Sequence, residues 1–224
     1  MEQLQIKNNY NFNIGKYISE GIDLFRKDPG GILVSFLLVI IMSIIPFCSL
    51  LAVGNFYKVC RDVEINGKAD SGKIFNFDDF LPYLKFIVLL FVVIFIIIIP
   101  IPIFIFPLSL FTGEDGSVSG VGAALVAGGF GLFMLFYFIF LIILSIATYY
   151  FIPLVALKGS HKVRKNISTS WMLAKKDFFS ILVFIIISGI LSQIGVFACG
   201  IGLFFTIPIG LCMRYKSFEK INNL

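Results

Sequence analysis

Four stretches of this chain hold no Asp, Glu, Lys, Arg or His: residues 29–57, 86–113, 116–157 and 178–213. With only 14% charged residues against 58% hydrophobic ones, the composition lies outside the range of soluble globular domains. A bilayer core of about 30 Å needs roughly 20 apolar residues per helix, so each stretch can cross at least once. The stretches lack period-2 alternation, and backbone amides in lipid must pair internally, so helices are expected rather than a barrel.

Metal-binding and catalytic groupings are also scarce. There is one histidine, His161, and no cluster of His, Cys and carboxylates, which excludes the usual structural metal sites. The four cysteines, Cys48, Cys60, Cys199 and Cys212, show no CxxC spacing, and three fall in apolar stretches where free Cys acts as a small hydrophobe. We assign them no redox or metal role and expect no cofactor. No nucleophile is paired with a base. The one adjacent carboxylate pair, Asp78-Asp79, diverges by about 100° on a helix and reads as capping ahead of Pro82. His161 sits in a basic segment and reads as a surface residue, and Asn166-Ile167-Ser168 matches a glycosylation sequon that would be silent on a cytoplasmic side. The chain is therefore expected not to be an enzyme. No cleavable signal peptide is expected, because the first 28 residues are polar.

What charge there is falls in a pattern. The net charge of +5 could suggest nucleic acid, but Lys and Arg flanking membrane helices have a simpler cause in topology, and no nucleic-acid partner is expected. Four basic residues precede the first stretch, five lie between the first and second, six between the third and fourth, and three follow the fourth. The segment 112–120 has none and carries Glu114 and Asp115. Four single crossings would leave seven basic residues outside, against the positive-inside rule. If the first and fourth stretches are helical hairpins, all eighteen fall inside. We therefore expect an all-α polytopic bundle of about six membrane helices, both termini cytoplasmic, over four helices with both outside. The hairpin turns would fall near Pro46 and near Ala198, Cys199 and Gly200, with Lys58 and Arg61 snorkelling to the headgroups.

An internal repeat is expected at an offset of 149 residues. Residues 18–34, ISEGIDLFRKDPGGILV, align with 167–183, ISTSWMLAKKDFFSILV, sharing Ile18/Ile167, Ser19/Ser168, Lys27/Lys176 and Asp28/Asp177. The whole chain, 1–224, reads as one membrane domain, with repeat copies at about 14–63 and 163–220 and central helices at about 80–157. Each copy opens on an amphipathic segment, with Ile14, Ile18, Ile22 and Phe25 in one and Val163, Ile167, Trp171, Ala174 and Phe178 in the other. These segments read either as helices lying in the cytoplasmic headgroup plane, favouring anionic lipid, or as the cytosolic ends of longer membrane helices; Pro29-Gly30-Gly31 favours a bend in the first.

Within the apolar stretches the amide side chains are Asn55 and Gln193, which read either as glue between helices or as a substrate path. Gly120, Ala124 and Gly128 form a small-xxx-small register suited to close helix packing, within the protomer or in a homo-oligomer. Pro100, Pro102 and Pro107 end or break the second stretch.

The segments PFCSLLAVGNFYKVCRDVEINGKA, FNFDDF, FIPLVALKG and IGLFFTIPIGLCMRYKSF resemble the six-helix bacterial and archaeal membrane proteins grouped as domains of unknown function. They also look related to the membrane domain that precedes the catalytic barrel of some glycerophosphodiester phosphodiesterases. The resemblance implies six membrane helices and supplies no site residues. We expect no phosphodiesterase activity to carry over, since these residues include no barrel sequence. With an Ile, Phe, Asn and Lys bias typical of AT-rich prokaryotic genomes, a prokaryotic cytoplasmic membrane is the expected location. The expected role is a non-enzymatic scaffold, sensor or accessory subunit. The alternative is a small-solute or lipid transporter using the repeated hairpins. A pocket lined by Asn55, Gln193 and hydroxyls would favour transport, and a bundle without one would favour the scaffold.

Overall fold

The structure is a computed structural model that describes residues 12–99, 120–159, 161–197, 200 and 202–222. Among these the regular elements are all helical: α1 (Ile14–Lys27), α2 (Pro29–Ser43), α3 (Ser49–Asn66), α4 (Phe80–Ile98), α5 (Gly120–Thr148), α6 (Phe151–Lys158), α7 (Val163–Lys176), α8 (Phe178–Gln193) and α9 (Leu203–Asn222). Short 3-10 turns run over Ser71–Phe75 and Ile194–Phe197. The prolines at 100, 102 and 107, the acidic 112–120 loop apart from Gly120, and Ala198 and Cys199 lie outside the described residues.

The helix starts follow from local chemistry. Asn13 caps α1 by accepting from the Lys16 amide at 3.0 Å. One residue separates α1 from α2: Asp28 caps the new helix through the Gly31 amide at 3.0 Å, and Pro29 takes the first helical position, where its missing N–H costs nothing. Asp177 is likewise the single residue between α7 and α8, but its side chain makes no capping hydrogen bond. Both amphipathic segments are therefore helices in their own right, separated by a break from the apolar helices that follow. The α3 and α6 ends close on glycines in the left-handed region, Gly67 at φ 71° and Gly159 at φ 58°, where a side chain would be strained.

Three stretches are long and apolar enough to cross a membrane: Phe80–Ile98, Gly128–Lys158 and Phe178–Val196. α2 is apolar but shorter, at 15 residues. Large apolar side chains stand exposed along these helices, among them Phe91, Phe95 and Ile96 on α4 and Leu132, Phe136 and Phe138 on α5. Water does not tolerate so much contiguous apolar surface, whereas lipid does.

The chain divides into two compact units, Lys85–Ser145 and the remainder, Met1–Leu84 with Ile146–Leu224. In the larger unit α3 is the hub, packing on α1, α2, α6 and α9, and buried on several sides at Leu51, Ala52, Phe56, Tyr57, Val59, Cys60 and Val63. α2 and α3 form a hairpin across a tight turn at 44–48, where Phe47 takes φ 66°, and α8 and α9 pack as a second hairpin. α1 lies against α9 so closely that a Cβ on Gly21 would come within 2.6 Å of the Met213 Cα. Aromatic rings fill the interior, with Tyr17 and Phe12 edge-on to Phe184, and Tyr150 against Phe218.

Candidate functional site

The polar chemistry of the larger unit is concentrated in four places. The first is Asp28, which accepts from the Ala69 amide at 2.8 Å as well as from Gly31, fastening the loop after α3 to the start of α2. These amide bonds, with Ala69 the stronger, hold its carboxyl below the usual carboxylate range.

The second is a charge network joining α1, α3 and α9. Lys216, with its side chain only 8% exposed, reaches Glu64 at 2.6 Å and Glu219 at 2.7 Å. Glu64 also pairs with Lys27 at 3.2 Å, while Lys220 reaches Glu20 at 3.4 Å. Burying Lys216 would be unfavourable alone, and two carboxylates offset that cost. A third set ties loops to α3: Lys58 meets the buried Asp79 at 2.6 Å, and Lys73 meets Asp62 at 2.6 Å. Lys58 therefore has an ion-pair partner in the loop before α4, and Asp79 spends its carboxylate on that pair while exposed His161 lies 3.9 Å away.

The fourth is a cleft of about 210 Å³ between α8 and α9. α8 lends Ser188, Gly189 and Ser192, and α9 lends Gly210, Leu211 and Arg214. Ser188 donates to the Ile185 carbonyl at 3.2 Å and Ser192 to the Ser188 carbonyl at 2.7 Å, so both hydroxyl hydrogens are used within α8. Gly210 leaves no room for a side chain because Ser192 Oγ fills the place of its Cβ. Arg214 stands beside Tyr57 and Tyr149, its guanidinium carbon 4.8 Å from the Tyr149 ring centroid. Among the described residues no carboxylate lies within ion-pair reach of Arg214.

The residues singled out from sequence fall in different surroundings. Asn55 is fully buried and donates both amide hydrogens, to the Ile74 carbonyl at 2.9 Å and the Asn76 carbonyl at 2.7 Å, which clamps the 3-10 turn onto α3. Gln193 is exposed at the end of α8. Neither amide lines the cleft between α8 and α9. Gly128 is exposed on α5, where a Cβ would meet no atom within 4 Å; the side-chain surroundings of Gly120 and Ala124 lie outside the described residues. Trp171 is exposed on α7 beside Met172, with Arg164, Lys165, Lys175 and Lys176 exposed on the same helix, and Phe179 just beyond is 78% exposed.

Arg214 is the residue that reading the sequence missed. It closes an uncharged stretch and so looks like the boundary of a helix, yet α9 continues eight residues past it to Asn222. The available signal was the spacing of Gly210 and Arg214 on one helical face, opposite Ser188 and Ser192 at the same i, i+4 spacing. Among the described residues no group of three or more His, Cys, Asp and Glu is placed to hold a metal ion. No family model, no curated protein and no solved structure matches this chain.

Proposed function

We propose that this is a multi-pass protein of a prokaryotic cytoplasmic membrane that acts without catalysis, as a scaffold, sensor or accessory subunit seated on anionic lipid headgroups. The observation that carries this is the outer surface of α7, which presents four cations together with an indole, a thioether and, at the start of α8, a phenyl ring. Water favours the first and disfavours the rest, whereas a headgroup layer accommodates both, and an indole there buries its ring and keeps its N–H hydrated. The break at Asp177 lets α7 lie in the membrane plane while α8 enters the bilayer.

Two further features support a duplicated, six-crossing arrangement with both termini inside. α1 and α7 each span 14 residues and begin and end at the offset of 149, each followed by an aspartate and an apolar helix. All the Lys and Arg residues fall on one side of that arrangement. The experiment is quenching of Trp171 fluorescence in vesicles of the intact protein. Lipids brominated near the glycerol end should quench more than those brominated near the terminal methyl. Full access of Trp171 to aqueous quenchers would remove the membrane-plane placement of α7.

A further inference from the structure

We propose that the cleft between α8 and α9 is a binding site for the phosphate of an anionic membrane lipid, with one acyl chain of that lipid against its apolar walls. The proposal rests on the membrane reading above and assigns a specific site that the surface reading does not require. Charge is the first argument. Lys27, Lys58, Lys73, Lys216 and Lys220 each reach a carboxylate, whereas Arg214 has aromatic neighbours in place of one. A cation lining a cleft without a counter-ion calls for an anion, and a guanidinium offers the paired N–H geometry that suits phosphate.

The surrounding groups narrow the class further. The hydroxyls of Ser188 and Ser192 have spent their hydrogens on α8 carbonyls, so Arg214 is the strong donor the cleft offers. A polyol or sugar would need several donors and acceptors; an anionic head needs this one. Ile185, Ile207 and Leu211 make the remaining wall apolar. The apolar wall decides between a lipid and a soluble anion: a free phosphate would leave Ile185, Ile207 and Leu211 uncovered, whereas an acyl chain covers them. The cleft, at about 210 Å³, is too small for a whole lipid, so the second acyl chain lies in the bilayer.

Native mass spectrometry of the intact protein in a neutral detergent tests this, with dioleoyl phosphatidic acid as the probe and dioleoyl phosphatidylcholine as its neutral-headgroup reference. Wild type should retain one phosphatidic acid at least tenfold more strongly than phosphatidylcholine. Arg214→Gln should lose that adduct by at least tenfold, and Arg214→Lys should keep part of it. Gly189 lines the cleft and a Cβ there meets nothing within 4 Å, so Gly189→Leu adds bulk to the cleft starting from open space; at least a tenfold loss of adduct with no fall in melting temperature is expected. Replacing Lys175 and Lys176 with Gln should leave the adduct intact while weakening vesicle binding, which separates this site from the α7 surface. Equal retention of the two lipids, undiminished binding by both Arg214→Gln and Gly189→Leu, or displacement of the lipid by millimolar inorganic phosphate would overturn the proposal.

Discussion

Two side chains of the same type, Lys216 and Lys220, sit one turn apart on α9 and differ in burial and in the number of carboxylates they reach. Lys216 is nearly enclosed between Glu64 and Glu219, while Lys220 is 43% exposed beside Glu20. Removing one partner of a buried network strands the others, at a cost of about 3 kcal/mol or more, whereas an exposed pair contributes under about 1 kcal/mol. Lys216→Met should therefore lower the melting temperature of the detergent-solubilised protein clearly, and Lys220→Met should scarcely move it; equal effects would mean that the network is not closed. Asp28 gives a pH-dependent counterpart. Its carboxyl titrates below the unfolded value of about 3.9, so its contribution is complete at neutral pH, starts to fall as the pH drops towards 4, and is lost below its folded pKa. Asp28→Asn should destabilise at pH 7 and should flatten the part of the acid-induced loss that wild type shows below pH 4.

At the scale of elements, much could be read from the chain. The helical class follows from uncharged stretches without alternation, and the break at Asp28 follows from an aspartate ahead of Pro29-Gly30-Gly31. The break at Asp177 has no proline behind it, and its only sequence signal is the likeness of residues 167–183 to 18–34. Pairing between distant helices was not legible, because Lys58 with Asp79 and Lys216 with Glu64 join segments whose register is set by packing, not by spacing along one helix. The same limit hid the approach of Cys60 on α3 to Cys212 on α9, whose buried sulfurs lie 3.8 Å apart. A disulfide needs about 2.05 Å, a small closure for side chains already facing one another. Treatment of membranes with a permeant oxidant such as iodine should give an intramolecular crosslink that changes migration on a non-reducing gel and vanishes in Cys60→Ser. Its absence in wild type would contradict the packing of α3 on α9.

At the scale of the whole molecule, α4 and α5 present long rows of exposed apolar side chains while α7 presents cations, and the proposed topology makes a sharp statement about the loops. A cysteine introduced at Ser117 should react with an impermeant reagent on intact cells, and one introduced at Gly67 should react only after lysis. Labelling at Gly67 from outside would remove the α2–α3 hairpin as a pair of crossings. The small-residue face on α5 bears on assembly. Gly128 has open space around it, so Gly128→Leu should leave the melting temperature of a monomer unchanged, and it should shift the mass seen by light scattering only if that face joins two copies. The length of α2 has a mechanical corollary. Fifteen helical residues rise about 22 Å, short of the roughly 30 Å of an average hydrocarbon core. If α2 crosses as proposed, the bilayer beside it has to pinch inward, so the protein should collect where membranes are thin, and should reconstitute more readily into vesicles of 14-carbon than of 20-carbon chains.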